Sequence, residues 1–544
     1  MTSQRKSFRL SIAAIAVLLL AFALRALPTV AAKPYIAYVD EGNFLHPVVG
    51  LLRDGGWDPH VYLYPQFPGI VVKAAVCAYK PIYRAIHGHA LSQDLSGPPD
   101  VYDRLEPFEV LLIARTLSVV LGVTVVLLTG LFAKHLAGPS AGLVAALTAA
   151  LVPALVLRGS IATVDSYATC FVLACLIFTE RSRSSARPGL ASFAAGAMAG
   201  FAFASKYPAV VVLVAFLVTT LLGPLGWKEK CRRTALAGVG LVAGAALAMP
   251  ASVWHWREVV GAIRYQSVLY GQIKSPSLAR QIFLSAEPNV RYDRAELGFI
   301  FVAFTAAGLV LGLSSARLRP VFCGWLAFAG IALVIYSHQF YQPFRNLMPL
   351  VPPACIAVAV AFVDLRRRTK RPHWADMVGL LWILTFFGVP IANYCWRRME
   401  LVDSRVEAMD WLATHMRNGD SSLIMRDLGF LNQELARLNP RPAVRWWEET
   451  ASGIDELRPV FLVAGIFMRE DGEPVDVAKL QPLLAAYDLR ARYGEQPTVP
   501  IKGWWHGNRQ VIYILERRPR ASGPKTSSHL ERSELSSAKS TRRS

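Results

Sequence analysis

The chain has 544 residues, of which 53% are hydrophobic and only 18% are charged. Soluble proteins carry about a quarter charged residues, so the composition excludes an ordinary soluble protein and indicates an integral membrane protein. The net charge of +20 is divided among short Lys and Arg clusters that flank long apolar runs. Such clusters orient membrane proteins and contact anionic lipids, and the sequence contains no nucleic-acid-binding module, so nucleic acid is not an expected partner. The seven cysteines have neither metal-type nor disulfide-type spacing.

The chain begins with a basic segment, residues 1–9, and an apolar run over residues 10–28. This run is long for a signal peptide and no small-x-small cleavage site follows closely, so we expect a retained first span and a cytoplasmic N-terminus. Further runs have the roughly 17–25 residues that a span needs, which predicts about eleven spans in total. These runs are residues 110–133, 140–158, 161–179, 188–205, 207–224, 234–253, 297–313, 320–337, 344–363 and 374–394.

The charges of the short loops agree with this topology. Loops expected in the cytoplasm are rich in Lys and Arg, as in residues 225–233 and 364–373, whereas residues 338–343 on the other side carry neither Lys nor Arg. Short loops show the positive-inside bias best. An odd number of spans then places the C-terminal part outside the cytoplasm.

Two outer loops are long, residues 29–109 and 254–296. The first contains the apolar segment FPGIVVKAAVCAYKPIYRAI, which is interrupted by Lys73, Lys80 and Arg84. Its length and charges favour a helix that lies at the membrane interface over a further span.

The sequence becomes polar after the multi-span region, residues 10–396. Within residues 397–516, the strand-like runs SSLIMRD, PVFLVAGIFM and QVIYILE alternate with the helical patterns VEAMDWLATHM and LQPLLAAYDLRARY. This alternation predicts a small α/β extracytoplasmic domain. Residues 517–544 are rich in Ser, Lys and Arg, which is typical of a disordered basic tail. The predicted fold class is therefore a polytopic α-helical membrane protein with a C-terminal α/β domain.

Three acidic residues lie near the outer ends of predicted spans. Asp40 and Glu41 follow the first span and are either solvated loop charges or part of a cleft where a carboxylate acts as a general base. Asp165 lies at the mouth of the fourth span, where an acid is costly unless it is paired, hydrated or functional, although helix capping explains it equally well. If the outer loops fold together, Asp40 and Asp165 meet and favour a divalent cation such as Mg²⁺ or Mn²⁺.

Three cations lie at outer helix ends, against the positive-inside trend. Lys206 separates two apolar helices, Arg115 lies near the outer end of the second span, and Arg345 lies in HQFYQPFRNLMPL. Snorkelling to the interface accounts for each of them singly. Beside three outer acids they predict a site for a lipid phosphate, since Arg suits bidentate phosphate contacts.

In these stretches the chain resembles the GT-C type membrane glycosyltransferases, glycosyltransferase family 39-like enzymes that include protein mannosyltransferases and aminoarabinose transferases. The likeness covers residues 10–430 and depends on the order of several motifs. They are YVDEGNFLHPVVGLL, YLYPQFPGIVVKAAVCAY, ARTLSVVLGVTVVLLTGLFAKHLAG, SIATVDSYATCFVLACLIF, GFAFASKYPAVVVLV, FRNLMPLVPPACIAVA and, as in bacterial members, DSRVEAMDWLATHMRNGDSSLIM.

The resemblance implies transfer of a sugar from a polyprenyl-phosphate carrier to a glycan, lipid or protein acceptor, at the outer face of a bacterial cytoplasmic membrane, by a single inverting displacement. It implies Asp40 as the catalytic base with Glu41 beside it, and Asp165 as a residue that holds a metal or positions the acceptor. Lys206, Arg115 and Arg345 are then candidates to bind the carrier phosphate. The run GNFLHP lacks the downstream Lys-Pro-Pro of the aminoarabinose transferases, so lipid A is not implied as the acceptor.

Two other classes of function fit a multi-span chain. A secondary transporter predicts paired broken helices and polar groups at the bilayer midplane, whereas the unusual charges here collect at outer helix ends. A non-catalytic envelope assembly protein would use the outer domain for binding. Loss of transfer activity on replacement of Asp40, with normal membrane insertion, discriminates the enzyme from both.

Overall fold

A computed structural model describes two compact units, one before and one after residue 404. The described residues are 2–31, 39–58, 60, 62–95, 108–271, 299–337, 344–369, 372–389, 391–392, 395, 404–425, 435, 437–445, 454, 456–466, 486–493 and 511–518. The predicted tail, apart from its first two residues, and much of the second outer loop lie outside the described residues.

All regular secondary structure in the described ranges of the first unit is helical. Its helices are α1 (Thr2–Ala31), α2 (Val39–Asp54), α3 (Gln66–His87), α4 (Leu91–Asp94), α5 (Phe108–Ala137), α6 (Pro139–Leu151), α7 (Pro153–Gly159), α8 (Val164–Ser184), α9 (Pro188–Ser205), α10 (Leu213–Leu221), α11 (Trp227–Ala248), α12 (Pro250–Trp254), α13 (Trp256–Gly271), α14 (Phe299–Ser314), α15 (Arg319–Ser337), α16 (Val351–Arg368) and α17 (Pro372–Ile383). Short 3₁₀ segments, Tyr207–Val212 and Phe344–Leu350, precede α10 and α16.

Six described helices are long and apolar enough to cross a membrane, and a seventh crossing results if the bent pair α6 and α7 forms one span. Exposed large apolar side chains such as Val242 and Leu247 on α11 suit contact with lipid. The predicted multi-span helical fold is therefore confirmed, while the number of eleven spans stays a prediction.

The third predicted span, residues 140–158, is broken in its C-terminal half. Helix α6 ends at Leu151, α7 begins at Pro153, and their axes differ by 58°. Proline has no N–H to donate and disfavours the α conformation in the residue before it, and Val152 accordingly has an extended ψ of 122°. The break directs α7 and the following loop toward α1 and α5.

Helices α9 and α11 approach each other through glycine. A Cβ atom added at Gly240 would overlap the carbonyl oxygen of Phe193, and one added at Gly196 would overlap that of Ala237. Small residues allow helix backbones to come this close in a membrane.

We therefore expect Gly240→Ala to lower the free energy of unfolding by about 1–3 kcal/mol, the usual cost of overpacking. Gly238 lies in the same helix with nothing within 4 Å of an added Cβ, so Gly238→Ala is the matched control. It should be neutral or stabilising, because Ala is the better helix former. Equal unfolding midpoints for the two variants in detergent would contradict this packing.

The second unit contains helix α18 (Ser404–His415) and a five-stranded sheet. The strands are β1 (Ser422–Met425), β2 (Ala443–Arg445), β3 (Phe461–Ile466), β4 (Tyr487–Tyr493) and β5 (Val511–Arg517), in the order β2-β1-β3-β5-β4. Strand β1 is parallel to β2 and β3, whereas β5 is antiparallel to β3 and β4. This sheet confirms the predicted C-terminal α/β region.

One sequence prediction in this unit is wrong. The pattern LQPLLAAYDLRARY predicted a helix, but its second half forms the edge strand β4. Pairing with β5 buries Tyr487 and leaves Arg490 and Arg492 exposed. An edge strand that alternates charged and apolar residues around a bulge mimics an amphipathic helix over such a short window.

Candidate functional site

Helix α2 presents the predicted acidic pair in its first turn. Acidic side chains are favourable there because the helix dipole places partial positive charge at the N-terminus. The backbone of Asp40 belongs to α2, but its side chain lies outside the described residues. Glu41 is fully buried, so its charge requires a partner.

Glu41 forms a bidentate ion pair with Arg115 of α5. Arg115 Nε donates to Glu41 Oε1 and Nη2 donates to Oε2, each at 2.8 Å, and both side chains are 0% exposed. The backbone N–H of Ala162, in the loop between α7 and α8, also donates to Oε1 at 2.8 Å. Glu41 therefore joins three separate parts of the chain, and a buried charge is tolerated because its oxygens are satisfied.

The other end of α2 is held by Lys73 of α3. Its ammonium donates to the carbonyls of Leu51 at 2.9 Å, Gly55 at 3.0 Å and Gly56, and lies over the ring of Trp57. Burial lowers the pKa of Lys73. Because both ends of α2 are tied down, the backbone of Asp40 has a fixed position.

A second charged cluster surrounds Asp165, in the first turn of α8. Lys206 Nζ donates to Asp165 Oδ1 at 2.6 Å and to Asn346 Oδ1 at 2.7 Å. Asp165 is 2% exposed, whereas Lys206 is 16% exposed. Lys206 follows α9 in an extended conformation and Pro208 starts the next turn, so the junction projects the lysine from a break between helices.

The two clusters are neighbours along the chain. Ala162 contacts Glu41, and Asp165 contacts Lys206, so a segment of at most about 11 Å connects them. The sequence therefore identified residues that the fold brings together in two pairs, Glu41 with Arg115 and Asp165 with Lys206. The backbone of Arg345 lies in the 3₁₀ segment next to Asn346, and its side chain lies outside the described residues.

Known proteins share this architecture. The family model of dolichyl-phosphate-mannose-protein mannosyltransferase matches residues 109–254. The apo crystal structure of ArnT from Cupriavidus metallidurans is similar over 94% of this chain and 98% of that chain, with a TM-score of 0.52 at 14% identity. The chain has the GT-C fold. The resemblance found in the sequence is thereby confirmed.

Two further structures agree. ArnT bound to undecaprenyl phosphate gives a TM-score of 0.51 at 14% identity, covering 95% of this chain and 99% of that chain. Archaeal oligosaccharyltransferase AglB from Archaeoglobus fulgidus, in complex with an inhibitory peptide and a dolichol-phosphate, gives a TM-score of 0.50 at 12% identity. This similarity covers 85% of this chain and 70% of that chain. No curated protein sequence matches the chain.

The described residues around Asp165 offer few ligands to a divalent metal. Within the described ranges, no three His, Cys, Asp or Glu side chains are grouped as metal ligands require. The nearest oxygen of Asp165 accepts from the ammonium of Lys206, which is a poor neighbour for a cation. A metal between Asp40 and Asp165 stays a prediction.

Two residues of the GT-C core were missed in the sequence. Asn346 accepts from Lys206 but is an ordinary amide beside the more conspicuous Arg345. Arg25 is fully buried inside the first span, and its signal was present, since a charge within a span is costly and marks a partner.

Proposed function

We propose that the chain transfers a sugar from a polyprenyl-phosphate carrier to a glycan, lipid or protein acceptor at the outer face of the cytoplasmic membrane. The observation that carries the proposal is the short segment 162–165, which connects the buried Glu41–Arg115 pair to the Lys206–Asp165 pair. It supports a single site with an acid on one side and a partly exposed cation on the other. The likeness to ArnT bound to undecaprenyl phosphate supports a carrier of that chemistry.

The proposed reaction is a single displacement. The acceptor hydroxyl attacks the anomeric carbon as its proton passes to the carboxylate of Asp40, and the bond from that carbon to the phosphate oxygen breaks. The electron pair leaves with the polyprenyl phosphate, whose added charge the ammonium of Lys206 stabilises. Attack from the face opposite the leaving group inverts the anomeric configuration.

The other residues have supporting roles in the proposal. Glu41 and Arg115 fix the first turn of α2, and Asp165 and Asn346 orient Lys206 toward the carrier phosphate. Arg345 is proposed as a second contact of that phosphate. Arg115, a predicted phosphate-binding residue, has no contact with the carrier phosphate in this proposal, because its guanidinium is fully buried against Glu41.

The experiment is a transfer assay on the purified full chain in vesicles. A panel of radiolabelled undecaprenyl-phosphate sugars is supplied with an extract of membrane lipids and glycans, with and without a chelator. The proposal predicts release of undecaprenyl phosphate and a labelled acceptor with at least one sugar. Label that crosses the vesicle membrane with the donor bond intact would indicate a transporter, and an intact donor with every sugar would contradict the transferase.

Lys206 provides a prediction specific to the donor. A hydrogen bond to a charged group contributes about 1.5–3 kcal/mol, so Lys206→Met should raise the donor KM by about 10–100-fold. Lys206→Arg should recover part of the loss because it retains the charge. Lys228, exposed in the first turn of α11, is the matched control, and equal donor KM values for Lys206→Met and Lys228→Met would remove Lys206 from the phosphate site.

A further inference from the structure

Arg25 lies inside the first span, fully buried, where a charge must be compensated. Its Nη1 donates to the carbonyl of Ala21 at 3.0 Å in its own helix and to that of Ala150 at 3.2 Å. Its Nη2 donates to the carbonyl of Ala149 at 3.2 Å. The guanidinium thus binds the end of helix α6.

The carbonyl of Ala149 has a specific reason to need a donor. In a continuous helix it would accept from the N–H of residue 153, which is Pro153 and has none. A carbonyl without a partner is strongly unfavourable in the hydrocarbon region, where water does not replace the missing donor. Arg25 supplies that donor from a different helix.

The side chain of Arg25 is enclosed by glycine. A Cβ added at Gly122 of α5 would come 2.9 Å from its Cδ and Nε, and one added at Gly159 would come 3.0 Å from its Nε. One turn after Arg25, Thr29 Oγ1 donates to the carbonyl of Ser160 at 2.8 Å. Helix α1 therefore forms hydrogen bonds with the broken span on both sides of α7, at residues 149–150 through Arg25 and at Ser160 through Thr29.

The residues that follow the contact between Thr29 and Ser160 belong to the candidate functional site. Ser160 is followed by Ala162, whose N–H holds Glu41, and then by Asp165, which holds Lys206. We propose that Arg25 is a positioning residue: by capping the broken span it sets the placement of residues 160–165 and through them the geometry of both charged pairs. The inference rests on the proposed transferase function, in which these pairs place the base and the phosphate-binding lysine.

The chemistry of the contact explains why arginine is used. A planar guanidinium directs two N–H groups, held in a fixed geometry, at two adjacent carbonyls. A lysine ammonium is a compact charge whose donors have no such fixed arrangement. Arg25→Lys therefore retains charge but not geometry, and Arg25→Gln removes the charge. Thr29→Val removes only the second contact and is the gentler variant if Arg25→Gln does not fold.

Arg25→Gln, Arg25→Lys and Thr29→Val are prepared in the full chain with two controls. Arg233 of α11 is a buried arginine that donates to the carbonyl of Ser182, so Arg233→Gln reports the loss of a buried arginine away from the site. Thr124 of α5 donates to the carbonyl of Val120 at an exposed position, so Thr124→Val controls for Thr29→Val. Transfer kinetics, unfolding midpoints and hydrogen exchange of the peptide containing residues 160–165 are measured on each variant.

We expect Arg25→Gln to lower kcat at least tenfold and to raise amide exchange in residues 160–165, with Arg25→Lys and Thr29→Val showing smaller changes of both. Arg233→Gln should lose stability but keep kcat and the exchange of that peptide. Unchanged exchange in residues 160–165 for both Arg25→Gln and Thr29→Val overturns the inference, as does a kcat loss that Arg233→Gln matches. If the wild-type chain transfers no sugar, the proposed function fails, and the exchange measurement still decides the structural role of Arg25.

Discussion

Replacing Asp40 by Asn is expected to lower the transfer rate by about 10²–10⁴-fold, which is the typical contribution of a general base. The amide has nearly the shape of the carboxylate but does not accept the proton of the acceptor hydroxyl. Because Glu41, Arg115 and Lys73 hold α2 independently of this side chain, the variant should insert in the membrane and bind polyprenyl phosphate as the wild type does. The loss should therefore appear in kcat, with donor affinity unchanged.

Asp54 is the matched control for this prediction. It is the last residue of the same helix and is exposed, so Asp54→Asn makes the same chemical change away from the site. Both variants are measured for transfer rate, donor affinity and unfolding midpoint. A transfer rate of Asp40→Asn within about threefold of that of Asp54→Asn would remove Asp40 from the base role.

Replacing Glu41 by Gln is expected to have the largest effect on stability. Arg115 would remain fully buried and would lose its bidentate carboxylate partner, and breaking a buried ion pair in this way costs about 3–5 kcal/mol. The side-chain amide oxygen of the Gln still accepts from the N–H of Ala162. The loss of unfolding free energy therefore reports mainly the removal of the carboxylate charge. The unfolding free energy is measured by denaturation with SDS in mixed micelles.

A double-mutant cycle separates the pair from its surroundings. Arg115→Gln should be about as destabilising as Glu41→Gln, but the double variant should lose less than the sum, because the second substitution removes the charge whose ion-pair partner the first one replaced. Asp364→Asn removes a partly exposed acid that pairs with Arg368 and should cost at most about 1 kcal/mol. Additive losses, or a Glu41→Gln effect no larger than that of Asp364→Asn, would show that the pair is not stabilising.

Apolar run length predicted the positions of the long apolar helices, because the bilayer sets the length of a span. It did not predict α2 (Val39–Asp54) or α13 (Trp256–Gly271), which lie in the expected outer loops. The sequence did not predict that the third span breaks at Pro153, since a proline near the end of an apolar run is also compatible with a kinked, continuous helix. The β4 error has a similar origin: over seven residues, apolar periodicity does not distinguish an amphipathic helix from an edge strand whose partner lies elsewhere in the sequence.

The candidate site was partly visible in the sequence because charges at outer helix ends are conspicuous. The sequence did not show which acidic residue forms an ion pair with which basic residue. Glu41 and Arg115 are 74 residues apart, and Asp165 and Lys206 are 41 apart, and only the packing of α5, α8 and α9 shows which cation belongs to which acid. That packing gave Arg115, expected at the phosphate, a buried partner and left Lys206 partly exposed.

The most direct test of the shared site is a structure of the full chain with undecaprenyl phosphate bound. The phosphate should lie within hydrogen-bond distance of Lys206 Nζ, and the carboxylate of Asp40 should face the same cavity on the side where an acceptor hydroxyl would approach. A phosphate bound away from Lys206, or an Asp40 carboxylate that points into bulk solvent, would contradict the shared site on which the transferase mechanism depends.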